Sequence, residues 1–202
     1  MRESNSNIDK SSFKTADNLV DKIITNSTKG GLFVFRLPTE SYCELNVHSV
    51  KYLLDHGCKG VYVSFQRPLK NVSSLFEQFG INKKDVIILD MTRASKNAEE
   101  IWGKIRRSLN KFDCKKKFVF IDSITTMDLV KPDFWTDSFS EFLMNITNKK
   151  EFDNVILLVN VAKDLINKKI VKNVSSAADG IFNIDRSRSQ YSIELIKPER
   201  LT

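Results

Sequence analysis

The sequence predicts an α/β protein with a mainly parallel central sheet, helices on both faces and a C-terminal hairpin. Short apolar runs, such as residues 32–35, 118–121 and 155–159, are typical of strands that are covered on both faces. Segments with apolar residues at helical spacing separate these runs, and this alternation favours parallel pairing. Residues 180–184 and 191–196 have only a polar loop between them, which indicates an antiparallel hairpin.

The elements follow one another along the chain without a linker or an internal repeat. We expect residues 1–12 to form a flexible tail and residues 13–202 to form a single domain. Apolar spacing predicts helices at residues 16–25, 43–56, 69–79, 98–112, 132–148 and 163–174. Buried strands are predicted at residues 32–35, 61–65, 86–90, 118–122 and 155–161, before the hairpin. His48 and His56 lack ligand partners at a metal-binding spacing, so we interpret both as surface or helix-end residues.

Composition excludes several classes of protein. At 202 residues, with 41% hydrophobic and 28% charged residues, the chain has the make-up of a soluble globular domain. The formal net charge of +7 permits an acidic or nucleic-acid partner without requiring one. The three cysteines show no C-x-x-C spacing, which argues against a disulfide framework and a zinc site. No apolar run approaches the ~20 residues of a membrane span and the N-terminus lacks a signal-peptide core, so we predict a cytoplasmic protein.

Three polar segments follow predicted strands. They are residues 36–41, 66–68 and 122–126. Because parallel α/β sheets bind ligands at the carboxyl ends of their strands, we expect these segments to lie along one edge of the sheet, called the rim below.

The order of landmarks resembles the RecA superfamily, and within it the KaiC-like ATPase domains. The residues that carry the resemblance are Gly30-Gly31 before the first strand, Ile121-Asp122-Ser123-Ile124-Thr125, and Ala178-Asp179-Gly180, and the likeness extends over roughly residues 16–197. It implies a three-layer RecA-like P-loop fold.

The phosphate loop that the resemblance implies has lost its phosphate-binding residues. Such a loop needs G-x-x-x-x-G-K-[ST], since glycines aim N–H groups at the phosphates, Lys reaches the β and γ oxygens, and the hydroxyl holds Mg²⁺. Strand alignment puts Leu37 and Tyr42 at the glycines, Cys43 at the Lys and Glu44 at the Ser/Thr. Ser41 and Glu44 have the spacing of a capping box instead. The pocket would therefore be vestigial and would comprise Leu37, Ser41, Tyr42, Cys43, Glu44 and Asp122.

Catalytic positions implied by the resemblance are also altered. KaiC-like domains carry paired Glu after the second strand, where this chain has Gln66-Arg67, and neither is a competent base at neutral pH. The family's C-terminal Lys-x-Arg corresponds here to Lys197-Pro198-Glu199. In the family, the residue at the position of Asp122 orients Mg²⁺. Because the partner hydroxyl is missing here, we interpret Asp122 as structural. Asp122 or Ser123 would then cap the segment that follows.

The sequence therefore predicts a non-catalytic pseudo-ATPase that requires no cofactor and acts as a regulatory or scaffolding protein-binding module. An active ATPase relative or a second copy would be its partner. One alternative is a nucleic-acid-binding paralogue, with Lys115-Lys116-Lys117 and contacts from Lys168, Lys169, Lys172, Arg186 and Arg188. Another is an altered nucleotide site, in which Arg36, Arg67 or Lys197 replaces the missing Lys.

Overall fold

Seven strands form one sheet in the order β3-β2-β4-β5-β1-β6-β7. The computed structural model describes residues 20, 21, 23, 30–38, 42–92, 98–126, 152, 154–163, 174, 176–187 and 190–196. The strands are β1 (Gly31–Leu37), β2 (Lys59–Ser64), β3 (Val86–Asp90), β4 (Lys117–Ile121), β5 (Val155–Ala162), β6 (Gly180–Ser187) and β7 (Gln190–Ile196). The helices with described bounds are α1 (Tyr42–Asp55), α2 (Leu69–Gln78) and α3 (Ala98–Leu109).

The predicted mixture of parallel and antiparallel pairing is confirmed. β3, β2, β4, β5, β1 and β6 pair in parallel, and β7 pairs antiparallel with β6 at the edge of the sheet. All eight residues of β5, at the centre of the sheet, are buried. A strand with neighbours on both sides and cover on both faces has no solvated side, which explains its continuous apolar sequence.

Each face of the sheet has its own apolar core. Along β1, Phe33 and Phe35 point to the core shared with α1 and α2, called the α1 face below. Leu32 and Val34 point to the core that includes Ile101 and Ile105 of α3, called the α3 face. Side chains alternate along a strand, so one apolar run supplies both layers.

Aromatic rings cross the sheet on the α1 face. Tyr62 of β2 stacks on Phe120 of β4 with ring centroids 5.6 Å apart. Phe35 of β1 meets Phe120 edge-on at 6.3 Å and Phe182 of β6 edge-on at 5.9 Å. Edge-to-face packing adds about 1 kcal/mol per pair to the free energy gained from burial. These contacts link four strands that are far apart in the sequence.

Gly30, Gly31 and Asp179, which carried part of the resemblance, join the starts of β1 and β6. A Cβ on Gly31, where φ is +150°, would lie 2.9 Å from Asp179 Oδ2. Leu32 N donates to that carboxylate at 2.8 Å, and Asp179 N donates to Leu32 O at 2.8 Å. Gly30, with φ +84°, leaves no room for a Cβ beside Val155 O. The motif therefore has a structural role at the amino end of the sheet.

His48 differs from the interpretation made from the sequence. It is only 3% exposed, and its ring meets Phe79 edge-on with centroids 4.9 Å apart. All six residues 45–50 are buried, and α1 shares its core with α2 and with Phe79, which follows α2. His56 is exposed at the end of α1, as predicted.

Several predicted elements fall outside the described residues. These are the tail at residues 1–12, the helix at residues 132–148 and almost all of the helix at residues 163–174, of which Lys163 lies in a turn and residue 174 is helical. Residues 20, 21 and 23, within the predicted first helix, are helical. The helix predicted at residues 98–112 ends at Leu109.

Gly60 of β2 is the position where the sheet tolerates a side chain least. A Cβ there would lie 2.2 Å from Phe118 O. We expect Gly60→Ala to lower the free energy of unfolding by about 3 kcal/mol or more, because backbone atoms of β4 must move. Gly80, with φ +68° and open space around it, is the matched control; Gly80→Ala should cost only about 1 kcal/mol. Urea denaturation of both variants measures the difference, and equal losses would contradict the steric explanation.

His48 should make the fold sensitive to acid. Burial lowers the pKa of His48 from 6.5 to about 4, so the unfolded chain takes up a proton at a higher pH than the folded one. The stabilisation is complete above pH 6.5 and is lost as the pH falls towards 4. His48→Gln, which cannot titrate, should remove up to about 3 kcal/mol of this dependence, measured by urea denaturation across that range. If the difference in unfolding free energy between the wild type and His48→Gln stayed constant from pH 6.5 to about pH 4, the predicted acid sensitivity of His48 would be refuted.

Candidate functional site

The carboxyl ends of the parallel strands bring the three predicted segments together. Ser64 pairs with Asp90, Val63 with Ile121, and Ile121 with Val159. Leu37, the last residue of β1, pairs with Ala162 of β5. Residues 36–38, 66–68 and 122–126 therefore share one edge of the sheet, as predicted for the rim.

Asp122 lies directly after β4 and is only 2% exposed. Its carboxyl group accepts hydrogen bonds from Ser64 Oγ at 2.8 Å and from Phe65 N at 2.8 Å, with a longer contact to Gln66 N at 3.4 Å. Burial raises the pKa of Asp122 to about 6, although these hydrogen bonds oppose the rise. The carboxyl group thus holds the loop that leaves β2.

Ser64 has more acceptors beside it than it has protons to donate. Its Oγ lies 2.8 Å from Asp122 Oδ2 and 2.8 Å from Arg67 O, but a hydroxyl carries one hydrogen. When Asp122 is protonated, its O–H can donate to Ser64 Oγ, and Ser64 can then donate to Arg67 O. When Asp122 is ionised, one of the two acceptors has no hydrogen from Ser64. Burial is what raises the pKa of Asp122, and the single proton of Ser64 limits how far this hydrogen bond can oppose the rise.

Other polar side chains of the rim also bind backbone N–H groups of the chain. Asp90 accepts from Leu69 N, at the start of α2, at 2.8 Å. Ser123 Oγ accepts from Thr126 N at 3.2 Å, so Ser123 caps the helical turn at residues 125–126. Thr125 Oγ1 accepts from Ala162 N at 2.9 Å. These three N–H groups are therefore bonded within the chain and are not free to bind an anion.

A buried polar cluster lies beneath the rim on the α1 face. Asn46 of α1 donates through Nδ2 to Tyr62 OH at 3.3 Å, and Asn160 Nδ2 of β5 donates to Asn46 Oδ1. Asn46 and Asn160 are 1% and 0% exposed. Asn160 Oδ1 has no hydrogen-bond partner among the described residues. Sequence reasoning missed this cluster, although Asn160 interrupts an otherwise apolar strand and was a signal for it.

Besides Asp122, the structure describes the side chains of two residues of the predicted vestigial pocket. Leu37 is fully buried in the α1-face core. Glu44 is half-buried in the first turn of α1, the helix that covers the same face. Ser41 and the side chains of Tyr42 and Cys43 lie outside the described part of the chain, so the predicted capping box stays a prediction.

Arg36 does not point towards the site. Leu32 and Val34, at alternate positions of β1, belong to the α3-face core, so Arg36 lies on that face, opposite α1 and Asp122. Its Nε is buried and has no hydrogen-bond partner among the described residues. Arg67 is exposed at the rim, and Lys197 is not among the described residues.

Most of the predicted nucleic-acid residues lie outside the described part of the chain, so their role stays a prediction. Lys168, Lys169, Lys172 and Arg188 fall outside it, and Arg186 is described only through its backbone pairing with Tyr191. Lys115, Lys116 and Lys117 lie at the amino end of β4, opposite the rim.

Metal and membrane signals are absent from the part of the chain that the structure describes. No group of three His, Cys, Asp or Glu side chains there could hold a metal ion. No helix among these residues is long and apolar enough to cross a membrane. Cys58 and Cys114 are free thiols.

Comparison with known proteins gives structural matches only. No protein-family profile matches the chain, and no curated protein matches its sequence. A KaiC-like protein of the hyperthermophilic archaeon Pyrococcus horikoshii matches with a TM-score of 0.60 and 16% identity, over 85% of this chain and 81% of its own. An uncharacterised protein of Pyrococcus horikoshii, solved with an unknown peptide, matches with a TM-score of 0.63 and 14% identity, over 89% of this chain and 88% of its own. A third solved structure, an ATPase domain, matches with a TM-score of 0.59 and 14% identity, over 92% of this chain and 90% of its own.

The chain has a RecA-like fold. Its mainly parallel sheet and helical layers match those of the KaiC-like protein and of the ATPase domain, in agreement with the fold predicted from the sequence. Identities of 14–16% establish the fold and leave activity open. The RecA-like fold puts Asp122 at the end of a central strand, beneath the rim.

Asp122→Asn should test the proton count at Ser64. The pKa of about 6 in the folded chain, against 3.8 for an ordinary Asp carboxyl, means that Asp122 stabilises the fold below pH 3.8 and that this stabilisation is lost as the pH rises to 6. Asn donates to Ser64 as a protonated Asp would. The variant should therefore equal the wild type near pH 4 and exceed it by up to about 3 kcal/mol at pH 8, measured by urea denaturation.

Asp122→Ala is the matched control because it removes both hydrogen bonds. It should be destabilised at both pH values, since Phe65 N loses its buried acceptor. If Asp122→Asn were destabilised equally at pH 4 and pH 8, the carboxyl group would be needed in its ionised form and the interpretation would be wrong.

Proposed function

We propose that this chain is a non-catalytic RecA/KaiC-like domain that acts as a regulatory or scaffolding protein-binding module and does not hydrolyse ATP. The observation that carries the proposal is the direction of the Asp122 carboxyl group. It is buried and bonded to Ser64 Oγ and Phe65 N, and is not presented at the surface of the rim. A carboxylate that orients Mg²⁺ would need its oxygens facing the metal's water.

The residues at the phosphate-loop position do not fit a magnesium nucleotide. Leu37 and Pro38 stand where backbone N–H groups should turn towards phosphate, and Pro38 has no N–H to donate. Glu44 adds negative charge in the first turn of α1. One like-charge contact at ~4 Å costs about 4 kcal/mol at an effective dielectric near 20, which weakens binding roughly a thousandfold.

The loop after β2 supplies no general base. Gln66 and Arg67 occupy the place of the paired Glu that the resemblance implies. The backbone of Arg67 bonds with Ser64 Oγ, through N at 3.2 Å and O at 2.8 Å, which fixes the loop to the sheet. A loop held in this way supports a structural role for the rim.

The proposed partner is another protein, either an active ATPase relative or a second copy of this chain. An altered nucleotide site using Arg36 is disfavoured, because Arg36 lies on the opposite face of the sheet from Asp122. Arg67 is the remaining described candidate for that role. We favour the protein-binding function over a nucleic-acid one, because among the described residues Lys115, Lys116 and Lys117 lie far from the rim and no exposed aromatic ring accompanies them.

Isothermal titration with ATP and Mg²⁺ tests the proposal directly. We expect no binding in the micromolar range, because the phosphate donors are missing and Glu44 repels the ligand. Micromolar binding that Asp122→Asn abolishes would overturn the proposed function. Asp122→Asn is the sharper variant here, since it keeps an acceptor for Phe65 N.

Rebuilding the loop separates binding from hydrolysis. Restoring Leu37→Gly would remove a fully buried side chain and cost about 3–5 kcal/mol, so the rebuilt variant keeps Leu37 and combines Tyr42→Gly, Cys43→Lys and Glu44→Thr. This variant should gain ATP affinity but show no phosphate release in a hydrolysis assay, because Gln66 and Arg67 are unchanged. Hydrolysis of ATP by this variant would refute the interpretation that the chain has lost its general base at Gln66 and Arg67.

A further inference from the structure

The positive charge of the chain is concentrated in one short segment. Residues 104–117 contain seven Lys and Arg and one acidic residue, Asp113, which accounts for nearly all of the formal net charge of +7. The segment includes the last turn of α3, the turn that follows and the first residue of β4. It therefore lies at the amino end of the parallel strands, at the opposite edge of the sheet from the rim.

Most cations of this segment have no acidic partner in the described structure. Ion pairs among the described residues join Lys51 to Asp55, Lys59 to Asp85, Lys83 to Glu77, Lys104 to Glu100 and Lys163 to Asp185. By contrast, no carboxylate oxygen of the described residues lies within 4.0 Å of the charged groups of five cations, which we call the basic end: Arg107, Lys111, Lys115, Lys116 and Lys117.

Helix stabilisation explains only part of the basic end. Arg107 lies in the last turn of α3, where a cation interacts favourably with the helix dipole. Lys115, Lys116 and Lys117 follow the helix by several residues, and the dipole effect fades beyond the last turn. Crowding like charges at one end of the sheet raises the free energy of the isolated chain, so a bound anionic partner would lower it.

The cations surround the amino end of the sheet on both sides. Phe118 and Phe120 of β4 point to the α1 face, so Lys116 lies on that side. Val119 points to the α3 face, so Lys117 lies on the side of α3, with Arg107. An extended flexible chain can follow such an arrangement around the strand ends, whereas a rigid duplex can touch only the cations on one side.

The described aromatic rings beside these cations are packed within the chain. Phe112 is only 8% exposed, and the ring of Trp102 packs against Phe152 with centroids 4.6 Å apart. Single-stranded nucleic acid is bound through exposed aromatic platforms as well as charge. Among the described residues, the basic end thus offers point charges alone.

We propose that the basic end binds an acidic, extended segment of a partner protein, with Asp or Glu side chains meeting its Lys and Arg. The inference rests on the proposed protein-binding function and names the chemistry of the partner and the surface that receives it. It places that surface at the amino end of the sheet, away from the closed rim. Exposed charge pairs of this kind are individually weak and strongly screened by salt, so affinity must come from several at once.

Fluorescence anisotropy with a labelled oligoglutamate peptide and a labelled short DNA duplex tests the proposal. The test variant combines Lys115→Gln, Lys116→Gln and Lys117→Gln. The matched control combines Lys51→Gln, Lys83→Gln and Lys104→Gln, which removes the same charge from cations that already have partners. We expect the test variant to lose peptide affinity roughly tenfold or more and the control to change it by less than about threefold, with binding that weakens as salt rises. Urea midpoints verify that both variants fold.

Equal losses in the two variants would overturn the proposal, since net charge alone would then explain binding. Binding of the duplex without binding of the peptide would also overturn it. ATP titration of the wild type and of Asp122→Asn reports on the rim separately, since Asp122 lies far from the basic end. Micromolar ATP binding that Asp122→Asn abolishes would refute the proposed non-catalytic function while leaving the peptide result at the basic end unaffected.

Discussion

The buried carboxyl group of Asp122 joins the ends of β2 and β4. Asp122 follows β4, and its carboxyl group accepts hydrogen bonds from Phe65 N and Ser64 Oγ at the end of β2, while its own N donates to Val63 O at 3.0 Å. Met91 N, after β3, donates to Ser64 O at 2.8 Å. A carboxyl group costs free energy when it is buried, and it is tolerated here because backbone and hydroxyl donors surround it. The loops of the rim depend on this arrangement.

A backbone N–H group that is hydrogen-bonded within the chain cannot also donate to a ligand. Backbone N–H groups at helix starts and strand ends are what an α/β fold offers to phosphate. In this chain Asp90 binds the N–H that opens α2, Ser123 binds that of Thr126, and Thr125 binds that of Ala162. The proposed non-catalytic role follows from this competition, since a rim that satisfies its own donors has less to gain from an anion.

Charge and burial divide the domain into two ends with different chemistry. The rim combines buried polar side chains with hydrogen bonds inside the chain, while the basic end carries Lys and Arg that have no carboxylate partner among the described residues. Exposed cations hold their charge without a folding penalty of burial, so they can be used for association without weakening the core. The separation agrees with the proposed role, in which a partner binds away from the rim.

The sequence by itself determined the alternation of strands and helices, the parallel sheet and the edge hairpin, because apolar periodicity and turn residues are local signals. It also singled out Asp122 and predicted an altered phosphate loop. Only the tertiary structure decided that His48 is buried, since that depends on Phe79 from another element. It likewise showed Asn46 bonded to Asn160, Arg36 on the face away from Asp122, and Ser64 shared between Asp122 and Arg67. These contacts depend on the strand order and on the packing of segments that are distant in the sequence. Local residue patterns determine neither.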